Sequence, residues 1–291
     1  MKIRNIGSRG TLFTFYDLSE EDYESPTNIY LINGNNHLFL CDTFLGPESM
    51  VEVKEYMDSH FTAKPIIVFN SHSDWDHHWG NCAFPNSIII AHRICRDKIL
   101  EKGEKSLMSL KRYHRGKITI TPPNLVFEER ISFPDEEVEF FYSPGHTKDS
   151  ASCIDNRDGV LFAGDNIEQP IPYITDRDLS YYLKTLQDYL NLKIKSIIPG
   201  HGNVSDINLL KVNISYLESF TTQANNSYQD KTVKLIHLRN VCTVAEQLKE
   251  GKHFAEAVKS YTLARSIADD LGQDKAVQEI QAILTQLQGE E

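Results

Sequence analysis

The segment from His72 to His78, with three histidines and two aspartates in seven residues, carries the clearest chemical signal in this chain. It directly follows residues 65–69 (PIIVF), a continuous apolar run that predicts a strand buried on both faces. In an α/β fold, side chains just beyond such a strand face the ligand. Imidazole and carboxylate together suit zinc, manganese or iron. In extended backbone, alternate residues from His72 to Asp76 point the same way and His77 points elsewhere, which suits two neighbouring metals.

Three further segments each place one potential ligand beside glycine, directly after a predicted strand. They are residues 143–147 (SPGHT) with His146, residues 162–165 (FAGD) with Asp165, and residues 198–202 (IPGHG) with His201. Glycine allows the backbone to approach a ligand closely. A lone His or Asp of this kind is usually a surface or capping residue. Four such segments in one chain, however, make chance a poor explanation.

In this order the four segments resemble the H-x-H-x-D-H motif, distant His, Asp and final His of the metallo-β-lactamase superfamily. The resemblance covers roughly residues 10 to 205 and implies an αββα sandwich with two metals at one edge. The ligand set that it implies is His72 and His146 for the first metal, Asp76, His77 and His201 for the second, and Asp165 as the bridge. It also implies that Asp42 supports a ligand from behind.

Asp74 departs from the motif, because it stands where the superfamily has its second His. An added carboxylate makes a two-metal site less positive, which weakens its Lewis acidity and lowers the pKa of bound water less. A hard oxygen donor also shifts preference toward iron or manganese and away from zinc. The flavodiiron branch of the superfamily is similar, with Glu at this position and two irons. Asp74 is one methylene shorter, so direct ligation and contact through water both stay open.

The resemblance implies a metal-dependent hydrolase with two divalent metals (zinc or iron, with manganese as a third option) and a bridging hydroxide. The substrate would be a small ester, thioester, lactone, amide or phosphoester. The resemblance also implies that Asp76 is a catalytic residue as well as a ligand. Tyr173 either donates a hydrogen bond to a developing oxyanion or simply packs. Between His92 and Lys117, nine Lys or Arg residues stand against three acids. This basic segment either favours an anionic substrate or forms a solvated helix face.

Two other classes of function stay open. The first is a di-iron redox enzyme that resembles the flavodiiron core. Residues 210–291 are helical in pattern and lack a glycine-rich phosphate loop, so electrons would come from a separate partner. The second is a non-enzymatic protein that recruits a partner through its helical tail, which the intact ligand positions disfavour.

Strand and helix signals alternate up to about residue 210 and helices alone follow. This predicts an α/β domain (1–210) and an all-α extension (211–291). The predicted strands are 28–32 and 37–41, as a hairpin around residues 33–36, and then 65–69, 87–91, 117–121, 138–142, 150–154, 160–163 and 196–199. The predicted helices before the extension are 49–60, 93–111 and 178–190. Residues 251–287 resemble one tetratricopeptide-type helix pair, or a helical hairpin packed on the domain or a dimer mate.

The composition, 40% apolar and 24% charged, is that of a soluble globular protein, and no apolar run reaches the roughly 18 residues that span a bilayer. The N-terminal residues lack the apolar core of a signal peptide, and five scattered cysteines without a C-x-x-C pair fit a reducing cytoplasm. A net charge of −11 disfavours nucleic-acid binding. The expected partners are a small-molecule substrate and, at the helical tail, a second copy or a protein partner. Neither nucleic acid nor a membrane is expected.

Overall fold

The computed structural model describes residues 1–18, 26–221 and 228–287. Its first sheet has seven strands that lie side by side in chain order. They are β1 (Lys2–Ile6), β2 (Gly10–Phe15), β3 (Thr27–Asn33), β4 (Leu38–Cys41), β5 (Ile66–Phe69), β6 (Ile88–His92) and β7 (Leu125–Phe127). The strands from β1 to β4 pair antiparallel, and those from β4 to β7 pair parallel. The parallel half therefore collects its carboxyl ends at one edge of the sheet.

The second sheet has five strands in the order β12-β11-β10-β9-β8. They are β8 (Arg130–Phe133), β9 (Val138–Tyr142), β10 (Ala151–Asp155), β11 (Val160–Gly164) and β12 (Ser196–Pro199). β11 and β12 are parallel, and the other neighbours are antiparallel. An isolated bridge between Thr27 and His201 joins the residues just after β12 to the start of β3. This bridge ties the two sheets together at the edge where the candidate ligands lie.

The helices are α1 (Val51–His60), α2 (Trp75–His78), α3 (Arg93–Ser109), α4 (Ser180–Tyr189), α5 (Ile207–Thr221), α6 (Lys231–Glu250), α7 (Phe254–Asp270) and α8 (Asp274–Leu287). Facing apolar side chains of the two sheets form the central core, where the rings of Phe69 and Phe140 stack at 4.4 Å. A second apolar cluster packs α1 on the outer face of the first sheet. A third packs α4 and α5 on the second sheet. The layers are therefore an αββα sandwich, as the sequence predicts.

Most of the predicted elements are confirmed, but one predicted strand is wrong. β3 and β4 pair antiparallel around residues 33–36, so the hairpin is confirmed. The described chain at residues 117–121 has no strand. Ile118 and Ile120 there pack against the outer apolar layer of the first sheet, and Pro122 and Pro123 follow, which cannot donate to a ladder. The sheet ends instead with β7, a few residues later.

The helical tail begins against the second sheet. Leu210 and Leu217 of α5 share an apolar cluster with Leu161 of β11. The three helices from α6 to α8 have a further cluster among themselves. The division at residue 210 and the likeness to a tetratricopeptide pair stay predictions. Within residues 1–18, 26–221 and 228–287, no helix combines the length and apolar character needed to cross a bilayer.

Candidate metal centre

Four loops that follow strand ends bring all seven predicted ligands to one edge of the sandwich. The loop after β5 supplies four of them, two before α2 and two within it. His146 lies between β9 and β10, Asp165 follows β11, and His201 follows β12. Asp74 immediately precedes the first residue of α2, and His77 N within that helix donates a hydrogen bond to the carbonyl oxygen of Asp74 at 3.0 Å.

Asp76, His77 and His201, here called the His201 set, have their donor atoms in close contact. His201 Nε2 lies 3.1 Å from Asp76 Oδ2 and 3.3 Å from His77 Nε2. Asp165 adds one oxygen 3.5 Å from His77 Nε2 and the other 3.5 Å from His201 Nε2. The edge of a tetrahedron whose nitrogen donors lie 2.0–2.1 Å from zinc is about 3.3–3.4 Å. The spacing of the His201 set therefore fits one shared ion.

His72, Asp74 and His146, here called the His146 set, form a second and wider group. Asp74 Oδ2 lies 3.5 Å from His72 Nε2 and 3.7 Å from His146 Nε2. Asp165 Oδ2 lies 3.7 Å and 4.0 Å from the same two nitrogens. The side chain of Asp74 is thus long enough to face both imidazoles, although it remains 48% exposed. The geometry favours the direct-ligand interpretation of Asp74, and ligation itself stays a prediction.

The hydrogen bonding of the site also fits a bound cation. Among the residues that the structure describes, the buried atoms His72 Nε2 and Asp165 Oδ1 have no hydrogen-bond partner. Buried polar atoms are rarely left unpaired, because desolvation costs about 1–3 kcal/mol each. His72 Nδ1 lies 3.0 Å from Ser71 Oγ. The other ring nitrogen, Nε2, therefore faces the site and can bind a metal. Imidazole and carboxylate donors converging around such atoms form a chemically sensible metal site.

Charge pairing within the site makes protons compete with a metal. Burial disfavours the charged form of Asp165, but His201 and His77 hold the pKa of this carboxyl well below its usual range. Burial also lowers the pKa of His201, but Asp165 and Asp76 together raise it to about 10. A histidine must be neutral to bind a metal, so loading the site requires proton release.

Asp42 fixes the orientation of His77. Its Oδ2 lies 2.8 Å from His77 Nδ1, while the same carboxylate accepts hydrogen bonds from Ser71 N at 2.7 Å and Ser71 Oγ at 2.8 Å. A carboxylate at Nδ1 favours the tautomer with a proton there, which turns the lone pair of Nε2 toward the site. The supporting role that the resemblance implies for Asp42 agrees with this geometry.

Aromatic residues pack beside the loop that carries His72 and Asp74. The ring of Trp75 stacks on Tyr113 at 4.8 Å, which places the end of the basic segment beside the ligand loop.

His78 is buried, and burial lowers its pKa to about 4. The ring of Tyr173 lies 4.7 Å from the guanidinium of Arg239, and its role at an oxyanion stays a prediction.

Much of the charge of the basic segment is already paired within the protein. The pairs are Arg93 with Glu128, Arg96 with Asp97, Lys98 with Asp149, and Arg115 with Asp17. These ion pairs reduce the positive charge that the segment offers to a substrate. A preference for an anion therefore depends on other members of the segment, such as Lys111, which directly precedes the pair Arg112 and Tyr113.

The sequence alone did not single out two buried carboxylates beside the site, Asp149 and Glu168. Asp149 accepts a hydrogen bond from Ser73 N at 2.8 Å and so supports the loop of the His146 set. Glu168 Oε2 lies 3.8 Å from His146 Nδ1, and burial raises the pKa of Glu168 to about 7. Each acid lies three residues after a ligand, at His146 and Asp165 respectively. That spacing was the available signal, although it does not by itself show that the side chains are buried.

With this geometry in place, comparison with known proteins identifies the family. The sequence model of the Metallo-beta-lactamase superfamily matches residues 22–201, more than half of the chain. This protein therefore belongs to the metallo-β-lactamase superfamily.

Its relatives agree on the family and the fold. A Beta-lactamase-like protein 2 homolog from Drosophila melanogaster is 28% identical over 180 residues, which are 61% of this chain and 59% of that protein. The chain thus spans about three fifths of the length of this relative. A metallo-beta-lactamase from Pseudomonas aeruginosa in its mono-zinc form has a TM-score of 0.61 at 17% identity and covers 76% of this chain and 96% of its own. A metallo-beta-lactamase from Pontibacter korlensis has a TM-score of 0.59 at 17% identity, with 75% and 98% covered. At this identity the solved structures show the fold alone.

Proposed function

We propose that this protein is a hydrolase that uses a dinuclear metal centre to cleave a small, anionic ester, thioester, lactone or phosphoester. The observation that carries the proposal is the approach of the His201 set and the His146 set to the two oxygens of Asp165. Membership of the superfamily supports hydrolytic chemistry. Two divalent ions bound there would supply a nucleophilic hydroxide and polarise the oxygen of the scissile group.

The protein's own residues would hold and orient this centre. Asp165 would bridge the two ions, since its Oδ2 lies within 4.0 Å of histidines of both sets and its Oδ1 lies 3.5 Å from His77 Nε2. Asp42 would keep His77 in the ligating tautomer. Asp76 would place one oxygen in the His201 set and use the other to accept a proton from the attacking water. Tyr173 would donate a hydrogen bond to the developing oxyanion.

A small molecule is the proposed substrate because the chain as a whole carries a net charge of −11, which repels polyanions. Trp75, half-buried beside Asp74 and stacked on the fully buried Tyr113, would offer apolar contact at the site. Lys111 would supply positive charge near these aromatic residues. A neutral Lys111→Gln variant should then raise KM for an anionic ester without changing KM for its neutral analogue.

The test begins with metal analysis of the purified full-length protein. Metal-free protein and protein reloaded with zinc, iron or manganese are then assayed against an ester, a thioester, a lactone, a phosphodiester and a short RNA. We expect about two ions per chain, hydrolysis of at least one small substrate only after reloading, and loss of that activity in Asp165→Ala. An Asp155→Asn variant, which alters a buried carboxylate paired with Arg9 instead, should keep it. Metal-independent hydrolysis, or hydrolysis of RNA alone, would contradict the proposal.

A di-iron redox enzyme is the second candidate, because Asp74 adds a hard carboxylate oxygen to the His146 set. Iron-loaded protein with a chemical reductant is then assayed for consumption of oxygen or nitric oxide. Turnover of either gas, together with inactivity toward every ester and phosphoester, would favour this function over hydrolysis.

A further inference from the structure

Glu168 stands behind His146, on the side away from the other candidate ligands. His146 Nε2 faces Asp74, whereas Nδ1 faces Glu168 Oε2 at 3.8 Å. Glu168 is only 6% exposed. Within the described part of the chain, His146 Nδ1 has no hydrogen-bond partner. A negative charge at this distance favours a proton on Nδ1 and thereby leaves the lone pair of Nε2 free for a metal.

The backbone of Glu168 is held by a tail helix. Asn213 of α5 accepts a hydrogen bond from Glu168 N at 3.0 Å and donates one to Glu168 O at 3.0 Å. Asn213 is fully buried. An amide that matches both polar groups of one residue fixes its backbone, and burying that amide without these bonds would be unfavourable. Asn213 therefore sets the place from which the Glu168 side chain reaches His146.

A second tail helix holds the carboxylate through Tyr173. Asn240 of α6, also fully buried, donates to Pro172 O at 2.8 Å and accepts from Ile174 N at 2.9 Å. In extended chain these two groups point to one side, and the N–H of the residue between them points to the other. Tyr173 N accordingly donates to Glu168 Oε2 at 2.6 Å.

The same helix repeats this pairing seven residues later. Gln247 donates to Thr175 O at 2.7 Å and accepts from Arg177 N at 2.7 Å. Residues seven apart lie on one face of an α-helix, so Asn240 and Gln247 hold a single stretch of backbone. The hydroxyl of Thr175 in that stretch donates to the carbonyl oxygen of His146.

We propose that the helical tail positions the His146 set, with Glu168 as the positioning residue and the amides of Asn213, Asn240 and Gln247 as its support. This inference deepens the proposed function and rests on it. Carboxylates behind a ligating imidazole fix its ring and raise its basicity, and their loss usually costs 10–100-fold in metal affinity. The tail is then part of the metal centre's scaffold, although it contributes no ligand.

The experiment titrates full-length, metal-free protein with Co²⁺ alone and follows visible absorption and heat. The wild type should bind two ions, and His146→Ala identifies the absorption band of the ion held by the His146 set. We expect Glu168→Gln and Asn240→Leu each to weaken that ion by about 10–100-fold and to leave the other ion unchanged. Gln247→Leu alters a half-buried side chain, so it keeps the test valid if Asn240→Leu does not fold.

A double variant and a control separate positioning from general destabilisation. If Asn240 acts through Glu168, the double variant should bind Co²⁺ no more weakly than Glu168→Gln alone. Gln281→Leu removes a tail amide whose hydrogen bonds stay within α7 and α8, and should bind both ions normally. Two ions with wild-type affinities in Glu168→Gln would overturn the inference, as would equal weakening of both ions in the tail variants. A wild type that binds no metal would overturn the proposed function as well.

Discussion

Replacing Asp42 with Asn should damage the metal centre through the tautomer of His77. Ser71 N donates to Asp42 Oδ1 at 2.7 Å, so the amide carbonyl of an Asn would take that position. Its NH₂ group would then face His77 Nδ1, 2.8 Å from the present Oδ2. The imidazole would have to accept there and carry its proton on Nε2, the atom that the His201 set needs for a metal. Ser71 Oγ can rotate to accept from the same NH₂.

The expected loss is about 10–100-fold in affinity for the ion at the His201 set, equivalent to about 1.4–2.7 kcal/mol. Co²⁺ titration measures the affinity, and ¹⁵N chemical shifts of the imidazole report the tautomer. Asp155→Asn is the matched control, since Asp155 is also buried but pairs with Arg9 at the far end of β10. It should lower stability and leave metal affinity unchanged. Normal affinity in Asp42→Asn, with the proton still on Nδ1, would refute the reasoning.

Substitutions at three other positions test separate parts of the structure. Gly200→Ala should lower metal content, because its Cβ would lie 2.0 Å from Asp165 Oδ1, about 1.4 Å short of an ordinary 3.4 Å contact; full metal content would contradict this packing. Asp74→Ala should weaken one ion and spare the other, and Asp74→His should increase preference for zinc over iron or manganese, as competitive metal loading would measure. His237→Gln should reduce the acid sensitivity of folding. Burial lowers the pKa of His237 from 6.5 to about 4, so its contribution, up to about 3 kcal/mol, is complete above pH 6.5 and lost as pH falls toward 4. Unfolding curves of the variant and the wild type that change in parallel from pH 7 to pH 4 would contradict it.

The ligand set could be predicted because its information is local. Each ligand lies in a short segment that follows a strand with a strong apolar pattern, and parallel strands place their carboxyl ends at one edge of a sheet. The position of the Asp74 carboxylate was harder to predict, because it depends on how the backbone turns into α2. The structure places Asp74 Oδ2 between His72 and His146, which the residue types alone left open.

The rest depends on partners far apart in the sequence. The pairs Lys98 with Asp149 and Arg115 with Asp17 neutralise charges that look available when the basic segment is considered alone. The strand prediction at residues 117–121 failed because β-branched residues also favour extended chain that packs without a ladder. No local pattern relates Asn240 to residue 172, so the contribution of the tail to the site became visible only in three dimensions.

The two donor sets differ in a way that the fold explains. The His201 set has donor distances of 3.1–3.5 Å and side chains at most 19% exposed, and Asp42, which directly follows β4, supports it. The His146 set has distances of 3.5 and 3.7 Å, an Asp74 side chain that is 48% exposed, and Glu168 as support from the second sheet's side. Water competes better for an exposed carboxylate, and a wider set needs more rearrangement to close around an ion. The His201 set should therefore bind a metal first, and the state of the loop held by α5 and α6 should decide whether a second ion follows.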